Sequence, residues 1–483
     1  MNTDSFYPDM SYKSVPLPED LEKIKFHGDF EEAQRCISLW LKRKIPHALR
    51  RRLEAEAGII DLLSHDEYPH TMEAAQRLMA ENIRDYQAGE LIALKDAGRA
   101  DWMYVKGQVH FHRRFFENLT RSGTDYAARL IKSPEDSRDA DNTQANAHAN
   151  ATVNAQERLN DNIRQMKTRG ERSAEIRLRA TLKVKKEFEE PGRTVLVHLP
   201  IPAETPEISA FKVERSSPAD LLIAPPHVPQ RTAAFKTLLK GGEVFSLEYS
   251  FINRIRYVDL GAPEKAQADS IVPRGSLRGR PQGQFLGEQL PHIRFTPYLR
   301  LLLEEILAGE RAPLQKARRI YDFITTEVVY SYVREYAAIE NISQYAAVNL
   351  KGDCGVQAIL FITLCRMAGI PAAWQSGLYV TPDHAGCHDW AEFYVEPWGW
   401  LFADPSFGGG AWRKGDTERW NYYFGNLDVF RMPANSAILT DFSPPKKHPR
   451  ADPVDNQTGE LEYEDRGLPS YALETTQEII SFR

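Results

Sequence analysis

Apolar positions in the first 132 residues recur at helical spacing. Phe30–Ile45, Ala48–Leu63, Met72–Tyr86 and Met103–Leu119 place them three and four apart among Ala, Glu and Arg, which predicts helices. Asp66 and Pro69 break the chain between the second and third. At Ser173 the period changes to two. Ile176, Leu178, Ala180, Leu182 and Val184 alternate with Arg177, Arg179, Thr181 and Lys183, as in a half-buried strand. Strand-like runs at Thr194–Leu199, Ala210–Val213, Leu221–Ala224 and Val244–Val258 follow, with Pro and Gly between them, and predict an antiparallel β-sandwich. Helical spacing returns at Tyr298–Leu307 and again after Pro313, a residue favoured at the first position of a helix. A strand-like tail at Ala472–Phe482 ends the pattern.

Two stretches lack any buried face. Residues 133 to about 160 are rich in Asn, Asp and Ala and predict a linker running into a short polar helix near Glu157–Lys167. Residues 261 to 287 are rich in Pro, Gly and Arg and predict a second connector. The expected plan is a helical N-terminal region (1–132), a polar linker with a short helix (133–172), a sandwich domain (173–260), a connector (261–294), a mixed helix and sheet core (295–440) and a C-terminal extension with a terminal strand (441–483).

Composition narrows the function. Hydrophobic residues make up 42% and charged residues 27% of the 483, the balance of a globular chain. A net charge of −6 gives no global basic field for nucleic acid, and no apolar run has the length of a membrane span. The basic outer face of the first strand reads as a solvated face. The N-terminus shows no signal-peptide pattern, and four cysteines are too few for a disulfide framework, so a reducing cytoplasm is expected. The His110–Phe116 cluster, with Trp40 and Trp102, leaves a docking surface for a protein partner open in the N-terminal region, although a helical core with a solvated edge accounts for it more simply.

The chemistry concentrates in Lys351–Phe407. Asp353 is a good N-cap, so Cys354 is expected in a first helical turn, where unpaired N–H groups and the helix dipole favour a thiolate. The Asp353 carboxylate opposes that ionisation. Cys365 falls among core positions of the same helix, which ends at Gly369 and Pro371. His388, Trp390, Glu392 and Tyr394 alternate along one strand, and a short turn returns the chain through Trp400 to Asp404. A hairpin centred on Glu396 sets His388 opposite Asp404, whereas one centred nearer Trp398 sets Asp404 opposite Ala391. A thiol, an imidazole and a carboxylate so placed can serve as nucleophile, base and orienter. His384 is the competing base. The Trp390 and Glu392 spacing favours His388. Cys387, His388, His384 and Asp383 lack metal-ligand spacing, and no metal or other cofactor is expected.

Four blocks carry a resemblance: Gly352-Asp353-Cys354, Gly369-Ile370-Pro371-Ala372, His388-Asp389-Trp390-Ala391-Glu392 and Trp400-Leu401-Phe402-Ala403-Asp404-Pro405. In this order and spacing they resemble the transglutaminase-like superfamily of papain-like cysteine enzymes, over roughly residues 295–410. The preceding β domain is similar to the sandwiches that often precede this core in bacterial members. The resemblance implies an α+β papain-like, transglutaminase-like catalytic core; with the α-helical N-terminal region, which has no counterpart in the family, and the antiparallel β-sandwich, the expected chain is multidomain. The resemblance implies Cys354 as nucleophile, His388 as base and acid, and Asp404 as orienter. It also implies an upstream aromatic or amide side chain beside the oxyanion, for which Gln344, Tyr330 and Tyr332 are candidates. Apart from the resemblance, Trp390, Trp398, Trp400 and Trp412 read as residues that wall the cleft and pack the hairpin, with substrate binding by Trp390 a secondary reading. The activity implied is attack on a carboxamide or peptide carbonyl of a protein or peptide substrate through an acyl-enzyme. Hydrolysis is expected; acyl transfer to an amine, or a non-catalytic scaffold with an idle core, are the alternatives.

Overall fold

The computed structural model describes residues 10–64, 67–121, 125–131, 144–262 and 283–483. The first part of the expected linker, 133–143, and most of the expected connector, 263–282, lie outside the described residues.

Helix Cys354–Met367 has no polar face, and every residue from Cys354 to Arg366 is buried. Such a helix must be covered all round. Helices Pro297–Leu307, Pro313–Glu327 and Ile342–Asn349 pack along it. Thr296 caps the first of these by accepting from the Leu299 N–H (3.3 Å), and Pro297 and Pro313 sit in first turns, where an N–H has no helical partner. The remaining cover is an antiparallel five-stranded sheet in the spatial order Phe424–Gly425, Gly399–Ala403, His384–Val395, Ala372–Thr381, Arg431–Asn435. Phe361 of the helix meets Phe393 of the sheet edge to face, with ring centroids 5.6 Å apart. Ala391 lies opposite Ala403 and Val395 opposite Gly399, so the hairpin is centred on Pro397, between the two registers considered above. One step further, that register sets Asp404 beside Trp390, and the His388 side chain reaches Asp404 on the diagonal.

Two four-stranded sheets stand before and after this core in the chain. One contains Thr194–Pro200, Thr232–Leu238, Leu222–Ile223 and Glu460–Tyr463; the other contains Glu171–Val184, Val244–Arg256, Ile208–Ser217 and Leu473–Phe482. Thr232–Leu238 is a strand that the sequence pattern did not single out. The inward residues Ile176, Leu178, Val197, Phe235 and Leu247 share one buried cluster, which continues into Leu378 and Met432 of the central sheet. The last forty residues thus supply one strand to each sheet. Arg177 and Arg179 on the outer face bond Glu248, and Arg179 also bonds Glu478.

The N-terminal region contains helices at Glu19–His27, Phe30–Leu41, His47–Ser64, Met72–Asn82 and Ala88–Asp96. The helix expected at Met103–Leu119 is not one element. Trp102–Val105 and Gln108–Phe111 form a hairpin, and a helix starts only at Phe115. Lys106 and Gly107 both take positive φ (49° and 73°), the geometry of a tight two-residue hairpin turn, and the flanking residues are strand formers. The helix expected near Glu157–Lys167 runs from Gln144 to Arg169. The N-terminal region docks on residues 331–351. Asn118 bonds both the N–H and the carbonyl of Tyr332 (2.7 and 2.9 Å), Arg334 pairs with Asp101 (3.0 Å), and Lys13 donates to the Ile339 carbonyl (3.0 Å).

Because Phe361 joins the buried helix to the sheet, Phe361→Ala is expected to lower stability by about 3–5 kcal/mol. Urea denaturation would measure it, and a loss under ~1 kcal/mol would show that other contacts hold the helix in place.

Candidate active site

The first turn of helix Cys354–Met367 is built by Asp353. Its Oδ1 accepts from the Val356 N–H (3.1 Å), and the first helical bond runs from the Gln357 N–H to the Asp353 carbonyl (3.0 Å). The Cys354 and Gly355 N–H groups lie ahead of these bonds. Tyr336 donates its hydroxyl to the same Asp353 Oδ1 (2.5 Å). A side chain at position 355 would begin 2.3 Å from the Tyr336 hydroxyl and 2.8 Å from Asp389 Oδ2, so only glycine fits after the cysteine.

His388 Nε2 lies 2.7 Å from Asp404 Oδ2. Asp404 also caps helix Pro405–Trp412, its Oδ1 accepting from the Phe407 N–H (3.0 Å) and the Ser406 hydroxyl (3.2 Å). The imidazole packs against Phe407, with centroids 4.7 Å apart, and against Trp390 at 6.0 Å. Arg431 is buried behind this pair. Its Nη2 is 3.0 Å from Asp404 Oδ2 and 2.8 Å from Asp428 Oδ2, and its guanidinium lies over Phe407. Burial works against the Asp404 charge, but the facing His388 and Arg431 outweigh it and hold the carboxyl below its usual range. Burial pushes the His388 imidazole below its ordinary value; Asp404 opposes this and Arg431 reinforces it. With Nε2 held by Asp404, Nδ1 is the ring nitrogen left for a thiol.

The Cys354 thiol donates to Asp389 Oδ2 at 3.2 Å, and no hydrogen bond joins it to His388. The expected lowering of the thiol by the helix terminus is overturned. Burial raises it well above its ordinary value, and the carboxyls of Asp389 and Asp353 raise it further. Asp389 Oδ1 accepts from Gln457 Nε2 (2.6 Å), which also donates to the His388 carbonyl (3.1 Å). Asp455, from the same C-terminal segment, accepts from the Ser376 hydroxyl. Burial pushes Asp353 and Asp455 each up to about 6, and burial with Asp455 and Asp353 nearby pushes Asp389 well above the carboxylate range. Cys354 itself is only 9% exposed.

The other expected site residues fall elsewhere. Trp390 is fully buried, and its indole N–H donates to Gln375 Oε1 (2.5 Å), so it offers no face to a substrate. Tyr332 is occupied by the N-terminal region: Arg114 lies 3.0 Å over its ring. Tyr330 stands edge-on to Tyr332. Gln344 sits in the first turn of helix Ile342–Asn349, its N–H bonded to Asn341. Tyr336 is the aromatic side chain that reaches the turn carrying Cys354. His384 lies at the exposed hairpin end, opposite Thr381. Among the described residues, no three His, Cys, Asp or Glu side chains are grouped to hold a metal ion. Asp389, Tyr336, Arg431 and Gln457 escaped the sequence reading. The Gly after Cys354 signals a close neighbour without naming Tyr336.

Residues 300–405 match the transglutaminase-like superfamily. This segment is a transglutaminase-like core. Cys354, His388 and Asp404 all fall within it. No curated protein matches the chain. Among solved structures, the chain is similar to a candidate cysteine protease from Cytophaga hutchinsonii, with TM-score 0.40 and 14% identity over 64% of this chain and 91% of that one. It is similar to the periplasmic domain of TgpA from Pseudomonas aeruginosa, with TM-score 0.27 and 13% identity over 51% of this chain and 92% of that one. The transglutaminase-like assignment rests on the superfamily match.

The raised carboxyls around the thiol make a stability prediction. Asp455 binds its proton up to about pH 6 when folded, above the unfolded value of ~3.9, so the folded chain holds the extra proton between those limits. Stability falls as pH rises through that window. Asp455→Asn removes the ionisable group and is expected to raise the melting temperature at pH 8, with the advantage gone by pH 4. Calorimetry at the two pH values checks this.

Proposed function

We propose that this protein is a cysteine-dependent amide or peptide hydrolase in which Cys354 is the nucleophile, His388 the base and acid, and Asp404 the orienter. The observation that carries the reading is the bond from His388 Nε2 to Asp404 at 2.7 Å, which fixes the imidazole and leaves Nδ1 as the ring nitrogen to take a proton. In the proposed reaction the Cys354 proton passes to His388 Nδ1 and the sulfur attacks the substrate carbonyl. The oxyanion forms beside the Cys354 and Gly355 N–H groups at the helix terminus. The imidazolium then protonates the leaving amine or ammonia as the C–N bond breaks. Water, deprotonated by His388, cleaves the thioester and restores the thiol.

The substrate is a protein or peptide, and the reaction is assigned to the cytoplasm. This location is supported by four free cysteines, Cys36, Cys354, Cys365 and Cys387. Among the described residues, no helix is long and apolar enough to cross a membrane.

Incubation with a glutamine-containing peptide and a labelled amine tests the reaction type. Release of ammonia without label in the peptide is the expected result, and efficient amine incorporation would establish acyl transfer instead. Cys354→Ala and His388→Ala are each expected to lower turnover by about 10³-fold or more, and Asp404→Asn by less than either. Unchanged turnover in folded Cys354→Ala would remove the enzyme reading and favour a scaffold.

A further inference from the structure

Asp389 is bonded to the proposed nucleophile, yet the proposed triad does not use it. Its Oδ2 accepts from the Cys354 thiol at 3.2 Å, and its Oδ1 is fixed by Gln457 at 2.6 Å. Every packed element faces it with an acid or a neutral group. The turn at Tyr336–Ala338 presents the Tyr336 phenol, and the start of helix Cys354–Met367 presents Asp353 and Cys354. The neighbouring strand sets Ser376 opposite it, and its own strand carries His388 and Trp390 on either side, with Cys387 one residue further back. The C-terminal segment brings Asp452, Asp455 and Gln457. The cation closest to this segment, Arg450, is committed to Glu460 and the Asp455 carbonyl. Among the described residues no Lys or Arg pairs with Asp353, Asp389, Asp452 or Asp455. Arg450 favours the ionised forms of Asp452 and Asp455 but does not outweigh their burial, and buried carboxyls grouped in this way do not all ionise together near neutral pH.

We propose that Asp389 is a catalytic residue that sets the ionisation of Cys354: its neutral carboxyl donates a hydrogen bond to the thiolate formed when the thiol proton passes to His388, and its ionised form accepts the S–H and holds the thiol. The proposal rests on the Cys354–His388 reading above. No atoms are exchanged with Asp389 beyond its own proton, whose binding the buried carboxyls around it favour. The bond seen from thiol to Oδ2 is the holding arrangement. Burial and the neighbouring carboxyls raise Asp389, which brings the change between the two forms toward neutral pH.

The test is the pH dependence of iodoacetamide alkylation at Cys354, followed by peptide mapping in the full chain. Asparagine keeps the shape and a donor but carries no charge. Asp389→Asn is therefore expected to move the Cys354 midpoint down by about one pH unit, or roughly tenfold more thiolate at pH 7. Asp389→Ala, without the donor, moves it less. An unmoved or raised midpoint in folded Asp389→Asn overturns the proposal. His388→Ala separates this from the triad reading. A midpoint moved by Asp389→Asn but not by His388→Ala supports Asp389 and removes His388; the reverse pattern overturns Asp389 and leaves the triad. If neither Asp389 variant folds, the wild-type S–H stretching band decides, assigned by its loss in Cys354→Ala. A band that shifts with pH while the thiol is still protonated supports the proposal, and one that only disappears as the thiol titrates overturns it.

Discussion

The helix that begins at Cys354 is buried from that residue to Arg366, and the geometry of the candidate site follows from that. A helix buried on every face needs cover from other helices on one side and a sheet on the other, here with Phe361 against Phe393. Its ends cannot be made apolar, and in the first turn it is the N–H groups that have no helical partner. Asp353 takes one of them, and the rest of the polar inventory collects around the same point: Tyr336, Asp389, Asp455 and Gln457. The site lies where the core has to stop being apolar.

Two neighbouring residues of one strand then carry opposite electrostatics. His388 faces Asp404, which is backed by Arg431, and Asp404 is held ionised. Asp389 faces carboxyls and is held toward its neutral form. Both carboxyls are buried, so desolvation pushes both the same way. The sign of the nearest charge decides the outcome in each case. Arg431 is central to this asymmetry. It supplies the fixed cation on the His388 side, and on the Asp389 side Arg450 is drawn off by Glu460. The two fields are thereby kept apart on adjacent residues of one strand.

Residues that act through local periodicity were legible in the sequence. The alternation of Ile176 to Val184, the cap at Asp353, the helix start at Pro313 and the order of Cys354, His388 and Asp404 all depend on near neighbours in the chain. The errors were local as well where two signals competed. Met103–Leu119 has apolar residues at helical spacing, but Lys106-Gly107 turns the chain into a hairpin, and turn chemistry won over periodicity. Trp390 looked like a cleft wall because aromatic residues cluster there, yet its indole is satisfied by Gln375 inside the core. Asp389, Arg431 and Gln457 were out of reach for a different reason. Their roles come from pairings across long stretches of chain, and no pattern along the chain reports which residue a buried carboxyl will face.

The C-terminal segment shows how far that non-local layer extends. Glu460–Tyr463 pairs with a strand that ends at Pro200, and Leu473–Phe482 with one that ends at Val184, so each completes a sheet laid down far earlier in the chain. Between the central sheet and those strands, the chain passes the active site and leaves Asp455 and Gln457 against it. The strand pairings fix where that passage runs, since both of its ends are anchored in sheets. The position of Gln457 on Asp389 is therefore set by sandwich packing rather than by the core's own motif. The core's four sequence blocks carry the proposed nucleophile, base and orienter together with Asp353 and Asp389, while Asp452, Asp455 and Gln457, which surround Asp389, come from chain outside them. Two chains with the same blocks and different C-terminal segments should differ in the pH at which their cysteine reacts.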